Sequence, residues 1–545
     1  MTGLEDAFDR IGSAAEDLLP RTHAPGLALA VTDGDATLGA VVRGFADVGA
    51  GRPVRAETRF QIGSISKSFA ALCVLQEVAK GRLSLDVSVN ELLPWLELPE
   101  PFGPITLHHL LTHTSGLITG MDFTGEAAHE LWALREGGTG CPPGERMRYS
   151  NLGYKALGLV IERVTGRPWW EHVRDHVLAP IGMGDADPII TSEMRGRLAT
   201  GHATPFDDRP WLPRHGWVEA PWFESATADG TICATADELA AYCRLLLNEG
   251  TGPDGAVLSR ESFGLMTQRV AQDPDAAGHV FGYGVKWIDE PGARPVLGHS
   301  GGMVGFTSYA LVDMEAGVGV TVLANASNGD PLLLARFAMA CLAAEALGAP
   351  IPQVPDPEDP SVVEDAAAFA GEYRDDRSDA VLTVVADGGR LFLGSDPPTA
   401  LIPIAPDRFA VDDPELERFG VRFLRDENVV TGLHRGPDRF VNDRYRGPAS
   451  FDPPEGWSAF VGHYRSWDPW ASNFRIFLRG GSLWIDAPED VLDAEPDRPL
   501  RPLAGGSFHV GDEHSPDRVR FDTVIDGNAT RAIYDCAPFY RTFTP

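Results

Sequence analysis

Gln61–Gly81 reads QIGSISKSFAALCVLQEVAKG, and the first domain can be interpreted around this stretch. Apolar residues recur at helical spacing after Ser64, and Gly81 stands where a helix would stop, so the pattern predicts a helix that begins near Ser64. Ser64 and Lys67 would be neighbours on one face of its first turn. A serine hydroxyl becomes a nucleophile when a base takes its proton, and a lysine amine is such a base where burial or a nearby cation lowers its pKa.

The pair also has an ordinary structural interpretation, in which Ser64 caps the helix and Lys67 is a solvated residue of the first turn. The chain has four lysines, Lys67, Lys80, Lys155 and Lys286, and of these only Lys67 has a serine three residues before it. Because short motifs also arise by chance, the assignment depends on further motifs elsewhere in the chain.

Length and composition limit the classes of protein to consider. A chain of 545 residues with 43% hydrophobic residues is expected to fold into two to four domains. A net charge of -32 opposes binding to nucleic acid or to anionic membranes. The acidic, amphipathic first twenty residues lack the features of a signal peptide, and no apolar run is long enough to span a bilayer. The six scattered cysteines are expected to be reduced thiols, and we expect a cytoplasmic protein.

The order of predicted elements indicates the architecture of the first domain. A helix over residues 4–19 and two apolar strands precede the short strand 59–63, which leads to Ser64. Helical patterns dominate from there to about Glu249. Strands return around GHSGG (298–302), and a last helix ends near Gly348. This order predicts one α+β domain over residues 1–348 whose two sequence ends share a sheet.

The remaining chain contains an internal repeat. A proline-rich linker, residues 349–365, precedes two copies of a pattern of short strands and turns. FAGEYR from Phe369 recurs as FVGHYR from Phe460, and Gly388-Gly389 recurs as Gly480-Gly481. The copies predict two small β-barrels or sandwiches, over residues 366–448 and 456–545.

The second copy contains an added acidic loop, DAPEDVLDAEPD, over residues 486–497. One interpretation is a solvated surface loop, since runs of charge usually face water. The other is an anionic loop that reaches the active site, where Asp490 and Asp493 would hold a substrate ammonium group.

Three further motifs accompany Ser64-x-x-Lys67: THTSGL (112–117), RYSNLGY (148–154) and GHSGG (298–302). In this order and spacing they resemble the serine β-lactamase, penicillin-binding protein and D-aminopeptidase superfamily, in particular its class C-like branch, peptidase S12. The resemblance covers about residues 1–345. It implies an α+β fold class: a β-lactamase-like domain with an antiparallel sheet flanked by helices and a helical subdomain, followed by two small antiparallel β-barrel domains.

The resemblance also implies roles for single residues. Ser64 would be the nucleophile and Lys67 its activator, while Tyr149 matches the tyrosine of the Tyr-x-Asn motif. Whether Lys67 or Tyr149 takes the serine proton stays open. The groups that would bind substrate are the Asn151 amide, the backbone N–H groups of Ser64 and Gly302 as an oxyanion hole, and the adjoining Gly301.

His299 is the fourth predicted catalytic residue, and it departs from the β-lactam-binding members, which carry lysine at this position. Histidine is mostly neutral at pH 7, so its attraction for a substrate carboxylate is weaker, and β-lactamase or D,D-carboxypeptidase activity is less expected. His-x-Gly looks like the D-aminopeptidase, D-amino-acid amidase and esterase members. The aminopeptidases also carry two C-terminal barrels, one of which sends an acidic loop to the active site.

Two competing motifs are less favoured. GHSGG also fits the nucleophile elbow Gly-x-Ser-x-Gly, which would make Ser300 the nucleophile, but that elbow opens into a helix and a β-hairpin pattern follows here. His109 and His113 are spaced to bind a metal on a helix, but without the glutamate of His-Glu-x-x-His the pair is expected to serve packing and capping.

These observations predict a serine hydrolase without metal or cofactor, acting through a Ser64 acyl-enzyme as a D-stereospecific aminopeptidase or amidase. Its substrates would be small peptides, amino-acid amides or esters, and the sequence leaves the oligomeric state open, with a homodimer as one alternative. One alternative is an esterase, or an acyl transferase or cyclase on peptides, with the same machinery. Another is a non-catalytic ligand-binding module.

Overall fold

The computed structural model describes residues 3–19, 24–120, 124–136, 139–327, 329, 331–354, 359, 361–375, 377–394, 397–448, 451–487, 497–503, 506–511 and 515–542. The chain forms two compact units. The first comprises Met1–Ala203 and Trp217–Pro355, and the second comprises Thr204–Gly216 and Asp356–Pro545. Within the described ranges, no helix is both long and apolar enough to cross a bilayer.

The first unit contains fifteen described strands. They are β1 (Gly26–Thr32), β2 (Thr37–Asp47), β3 (Arg52–Pro53), β4 (Phe60–Gln61), β5 (His202–Ala203), β6 (Val218–Glu219), β7 (Cys233–Ala234), β8 (Thr251–Gly252), β9 (Gly255–Ala256), β10 (Ala271–Gln272), β11 (His279–Phe281), β12 (Lys286–Ile288), β13 (Val296–Met303), β14 (Phe306–Asp313) and β15 (Val318–Ala324).

Ten described α-helices belong to the same unit. They are α1 (Gly3–Leu18), α2 (Ser66–Ala79), α3 (Val89–Leu92), α4 (Leu107–Leu111), α5 (Ala127–Ala133), α6 (Asn151–Thr165), α7 (Trp169–Val173), α8 (Ala236–Leu247), α9 (Arg260–Met266) and α10 (Leu332–Ala346).

One antiparallel sheet of nine strands organises this unit, in the order β10-β11-β12-β13-β14-β15-β1-β2-β3. Strands β1 and β15 are buried along their whole length and pair at the centre, with Leu29 opposite Val322. Helices α1 and α10 cover one face, and α8 packs on the other, where the Thr321 hydroxyl donates to the Ala236 carbonyl at 2.9 Å. The predicted α+β fold, in which the two sequence ends share a sheet, is confirmed.

The nucleophile stretch follows the short strand β4, which pairs with β7 outside the large sheet. A single 3₁₀ turn, Gly63–Ile65, precedes α2, and Gly81 follows the helix at a φ of 69°. The 3₁₀ turn places Ser64 at the entry to the helix rather than inside it. Because α2 is buried over most of its length, the position of this turn is fixed by packing on several sides.

The second unit contains two closed antiparallel barrels of eight strands each. The first is formed by β16 (Gly371–Asp375), β17 (Val381–Asp387), β18 (Arg390–Leu393), β19 (Thr399–Ala405), β20 (Arg408–Val411), β21 (Val421–Asp426), β22 (Val429–Arg435) and β23 (Asp438–Val441). The second has β24 (Gly462–Arg465), β25 (Asn473–Arg479), β26 (Ser482–Asp486), β27 (Asp497–Pro502), β28 (Ser507–Val510), β29 (Arg518–Phe521), the separate ribbon β30 (Val524–Ile525) and β31 (Asn528–Ala529), β32 (Arg531–Tyr534) and β33 (Ala537–Thr542).

The repeat found in the sequence occupies equivalent places in the two barrels. The buried Tyr373 hydroxyl donates to the Phe369 carbonyl at 2.6 Å, and the buried Tyr464 hydroxyl donates to the Phe460 carbonyl at 2.8 Å. Each Gly-Gly pair makes the two-residue hairpin turn that needs positive φ at both positions, 57° and 80° in the first barrel and 54° and 75° in the second. The predicted pair of barrels is confirmed.

Residues 204–216 belong to the barrel unit although they lie between β5 and β6 of the first unit. Glu417 is 5% exposed and accepts hydrogen bonds from three side chains of this segment, at 3.0 Å from Arg209, 2.8 Å from His215 and also from Arg214. Asp208 binds Arg475 of the second barrel at 2.7 Å. The segment therefore ties both barrels together, which the sequence did not predict.

Candidate active site

The side chains of Ser64 and Lys67 meet at the entry to α2. Lys67 is fully buried, and its Nζ donates to Ser64 Oγ at 3.0 Å and to the Asp229 carbonyl at 2.7 Å. The Ser64 side chain stays partly exposed. The arrangement gives a solvent-accessible hydroxyl in contact with a buried amine, which are the two groups that an activated serine requires.

Two glycines let this turn approach β13. Gly63 has a φ of 54°, and a Cβ at this position would lie 2.5 Å from the Gly302 carbonyl oxygen and 2.7 Å from its nitrogen. A Cβ on Gly301 would lie 1.9 Å from the Ile62 carbonyl oxygen. Only residues without side chains allow these backbones to approach so closely. The sequence-predicted Gly301 and Gly302 therefore lie directly beside the nucleophile turn.

Tyr149 lies next to the same amine. Lys67 Nζ is 4.9 Å from the centre of the Tyr149 ring. The phenol is also in contact with His113, whose ring stacks on it at 4.3 Å with an angle of 25° between the planes. Ser64, Lys67 and Tyr149, three of the four side chains that the sequence predicted as catalytic, are thus brought together.

His113 was not predicted as part of this site. It is completely buried, at a φ of 57°, and its Nδ1 accepts the Ser150 backbone N–H at 3.0 Å. Nδ1 must therefore be unprotonated, which leaves the proton of the neutral ring on Nε2. Burial, followed by the charge of Lys67, lowers the pKa of His113 well below its ordinary value. His113 is a neutral support for the Tyr149 ring rather than a metal ligand.

His299 lies on β13, and its ring centre is 6.3 Å from that of Tyr149. The side chain is 2% exposed, and Nδ1 is 2.5 Å from the Ser300 carbonyl oxygen. A carbonyl only accepts, so Nδ1 carries the proton and the buried Nε2 is an acceptor. Burial, followed by the charge of Lys286, lowers the pKa of His299 to about 3. The ring is neutral at pH 7 and provides no cation for a substrate carboxylate.

Asn151 begins α6, where its backbone N–H donates to the Thr119 carbonyl at 2.9 Å. The preceding Ser150 caps the helix by accepting the Gly153 N–H at 3.1 Å. The Asn151 side-chain oxygen is buried and has no hydrogen-bond partner among the described residues. An amide held at a capped helix end, with an unused acceptor, is suited to bind an N–H of a substrate.

Asp229 is a second residue that the sequence did not single out. Its carbonyl is the second acceptor for Lys67 Nζ, and the residue is 5% exposed. No part of the segment ATADGT matches a short motif of known chemistry, so its sequence carries no signal of this role. Its position beside the amine could be found only from the fold.

The two competing motifs fall elsewhere in the fold. Ser300 lies in the middle of strand β13 and not in a turn from strand to helix, so the elbow interpretation is wrong. His109 forms a capping box with Thr106 at the start of α4. Among the described residues, no group of three or more potential ligands is arranged to hold a metal ion. Asp490 and Asp493 lie outside the described residues.

Comparison with known proteins agrees with this fold and site. The beta-lactamase family model matches residues 8–344. Penicillin-binding protein 4 of Amycolatopsis lactamdurans is 33% identical over 64% of this chain and 93% of its own. Esterase EstB of Burkholderia gladioli is 30% identical over 52% of this chain and 81% of its own. The octameric penicillin-binding protein homologue from Pyrococcus abyssi is similar in structure, with a TM-score of 0.56 and 26% identity over 80% of this chain and all of that one.

Proposed function

The chain belongs to the beta-lactamase family of serine hydrolases, and we propose that it cleaves small amides of amino acids through an acyl-enzyme on Ser64. The more specific proposal is a D-stereospecific aminopeptidase or amidase. The observation that carries the proposal is the 3.0 Å contact between Lys67 Nζ and Ser64 Oγ.

The proposed reaction has two steps, acylation of Ser64 and hydrolysis of the acyl-enzyme, and the same groups act in both. The Ser64 hydroxyl attacks the substrate carbonyl and passes its proton to the Lys67 and Tyr149 pair, while the carbonyl oxygen takes the negative charge. Backbone N–H groups of Ser64 and Gly302 stabilise that oxyanion. The carbon–nitrogen bond then breaks, and the leaving amine takes the proton. Water attacks the Ser64 ester by the same steps and releases the acid.

The neutral state of His299 supports an amide of an amino acid as the substrate class. A β-lactam or a D,D-peptide presents a free carboxylate, which a cation would recognise in this position. A neutral, buried imidazole has no charge to offer, and the lysine of the β-lactam-binding members is absent here. An amino-acid amide, with a free amine and no carboxylate, avoids this mismatch.

A second candidate, esterase activity, is favoured by the similarity to Esterase EstB, which covers 81% of that protein at 30% identity. Ester and amide cleavage would use the same serine and amine. They differ in the leaving group, because an alcohol needs less protonation than an amine. Acyl transfer to a second amine in place of water would require no additional catalytic group.

The test compares four substrates with the full-length enzyme and its Ser64→Ala variant. The substrates are D-alanine p-nitroanilide, its L-enantiomer, N-acetyl-D-alanine p-nitroanilide and p-nitrophenyl acetate. We expect the D-anilide with a free amine to be cleaved at least tenfold faster than either other anilide, and Ser64→Ala to abolish this activity. Cleavage of the acetate alone would replace the amidase proposal with the esterase one. Full activity of Ser64→Ala would overturn both.

A further inference from the structure

We propose that the carboxylate of Asp229 binds the ammonium group of the substrate and thereby selects for amino-acid derivatives with a free amine. The inference rests on the proposed function, since it concerns the same site. It names the residue that would select substrates with a free amine. The ligand class is a primary ammonium attached close to the reacting carbonyl, as in an amino-acid amide, an amino-acid ester or the amino terminus of a peptide.

The first observation is that this carboxylate is buried without a partner. Asp229 is 5% exposed, and its Oδ1 is completely shielded from solvent. Neither a hydrogen bond nor an ion pair joins its side chain to any residue that the structure describes. Other buried carboxylates of this unit are paired, such as Glu130 with Lys155. Burying an unpaired carboxylate is costly, and such groups are concentrated at functional sites.

The second observation is the short distance to the reacting atoms. The Asp229 carbonyl is 2.7 Å from Lys67 Nζ, which is 3.0 Å from Ser64 Oγ. Covalent dimensions keep a carboxylate within about 5 Å of the carbonyl oxygen of its own residue, so its oxygens lie no more than about 11 Å from Ser64 Oγ. A carbonyl poised for attack and its α-ammonium group, hydrogen-bonded to a carboxylate, span up to about 8–9 Å from the nucleophile. The two ranges overlap, so the geometry allows a contact between this carboxylate and the α-ammonium group.

The third observation is that the turn that carries Asp229 is fixed on three sides. The Ile232 N–H donates to Ser66 Oγ of α2 at 3.2 Å, and the Thr231 hydroxyl donates to the Thr227 carbonyl at 2.8 Å. A Cβ on the neighbouring Gly230 would meet the Met303 sulfur at the end of β13, at 3.2 Å. The backbone that carries the carboxylate is thus ordered before substrate binds, which lowers the entropic cost of binding.

The negative charge of the Asp229 carboxylate determines which substrates it would bind. Lys67 directs its amine to the serine hydroxyl and to the backbone carbonyl of Asp229. A substrate ammonium would complete a buried charge pair, whereas an N-acetylated substrate would leave the carboxylate unpaired and desolvated. Specificity of this kind is strong, because the wrong substrate leaves a buried group without its partner.

The experiment measures selection for the amine in wild type, Asp229→Asn and the control Asp237→Asn. Asp237 is an exposed carboxylate on α8. Two pairs of substrates are used, D-alanine p-nitroanilide with its N-acetyl derivative, and D-alanine methyl ester with its N-acetyl derivative. The ester pair keeps the test valid if the enzyme proves to be an esterase. Labelling of Ser64 by a fluorophosphonate, with thermal unfolding, establishes that each variant is folded.

We expect the ratio of kcat/KM for the free-amine substrate over its N-acetyl derivative to fall at least tenfold in Asp229→Asn, mainly through KM, and to be unchanged in Asp237→Asn. An unchanged ratio in Asp229→Asn would overturn the inference. Equal losses for both members of a pair would also overturn it, since Asp229 would then act through Lys67. If Asp229→Asn does not fold, D-alaninol serves as the probe: it keeps the ammonium group but has no carbonyl and so cannot acylate Ser64. Competitive inhibition of wild type by D-alaninol but not by its N-acetyl derivative supports the inference, and equal inhibition contradicts it.

Discussion

His299 illustrates how burial fixes the protonation state and the tautomer of a single residue of this site. Its Nδ1–H is committed to the Ser300 carbonyl, and its Nε2 is enclosed among aromatic rings, including Phe281 at 6.0 Å. His113, which stacks on Tyr149, has the opposite tautomer, with the proton on Nε2. Two neutral imidazoles of opposite tautomer therefore flank the phenol, and neither adds positive charge to the site.

The buried His299 makes stability depend on pH in a defined direction. Its pKa is about 3 in the folded protein and near 6.5 when unfolded, so between these values only the unfolded chain binds the proton. Stability is therefore lost as pH falls through this window, by about 2 kcal/mol for this residue between pH 7 and pH 5. We expect the loss, measured by urea unfolding at both pH values, to be about 2 kcal/mol smaller in His299→Gln than in wild type.

The control for this measurement is His129→Gln, because the His129 side chain is exposed. We expect His129→Gln to lose as much stability as wild type between the two pH values. A loss in His299→Gln equal to that of wild type would contradict the assignment of His299 as a buried neutral ring.

At the scale of elements, the site depends on the contact between the nucleophile turn and strand β13. The turn and the strand come from sequence positions more than 230 residues apart, and they approach only because Gly63 and Gly301 have no side chains. A Cβ at Gly63 would have to displace the Gly302 backbone itself. The close contact that positions Ser64 is therefore specified by glycine at both sides.

Gly63→Ala tests this contact, with Gly81→Ala as the matched control. Both positions have positive φ, 54° and 69°, but a Cβ on Gly81 has no atom within 4 Å. Gly81→Ala should therefore cost only about 1 kcal/mol of stability from backbone strain. Gly63→Ala should in addition slow the labelling of Ser64 by a fluorophosphonate about a hundredfold, because a shift of about 1 Å disrupts the reacting geometry. Equal labelling rates in the two variants would contradict the role given to this contact.

At the scale of the molecule, the two barrels and residues 204–216 form one unit that is interrupted in sequence. The Glu417 carboxylate accepts hydrogen bonds from three side chains of the inserted segment, those of Arg209, Arg214 and His215. Because this segment lies between β5 and β6 in sequence, the chain crosses between the two units three times, after residues 203, 216 and 355. The barrel unit therefore includes residues from the middle of the chain as well as its C-terminal part.

Glu417→Gln should release the inserted segment. Removing the charge weakens the hydrogen bonds from Arg209 and Arg214, which keep Asp208 and Asp412 as partners, and the loss of a charged acceptor costs about 2–3 kcal/mol. We expect backbone amides of residues 207–215 to exchange hydrogen about a hundredfold faster in this variant. Glu415→Gln, at an exposed position two residues away, is the control and should exchange like wild type. No difference between the two variants would show that Glu417 does not hold the segment.

Much of this architecture could be predicted from local pattern. The helix after Ser64, the shared sheet and the paired barrels each leave a periodic or repeated signal, such as the Tyr373 and Tyr464 copies. His113, Asp229 and residues 204–216 leave none, because their roles arise from contacts between distant parts of the chain. His113 reaches Tyr149 from 36 residues away in sequence, and Asp229 reaches Lys67 from 162 residues away. Sequence spacing alone contains no information about such long-range contacts.

The central claim, that Ser64 is a nucleophile activated by Lys67, is tested most directly by mass spectrometry after labelling with a fluorophosphonate. The account predicts one adduct per chain, located on Ser64, absent from Ser64→Ala and formed at least a hundredfold more slowly in Lys67→Ala. No adduct on the wild-type chain, or an adduct on Ser300 instead, would contradict it.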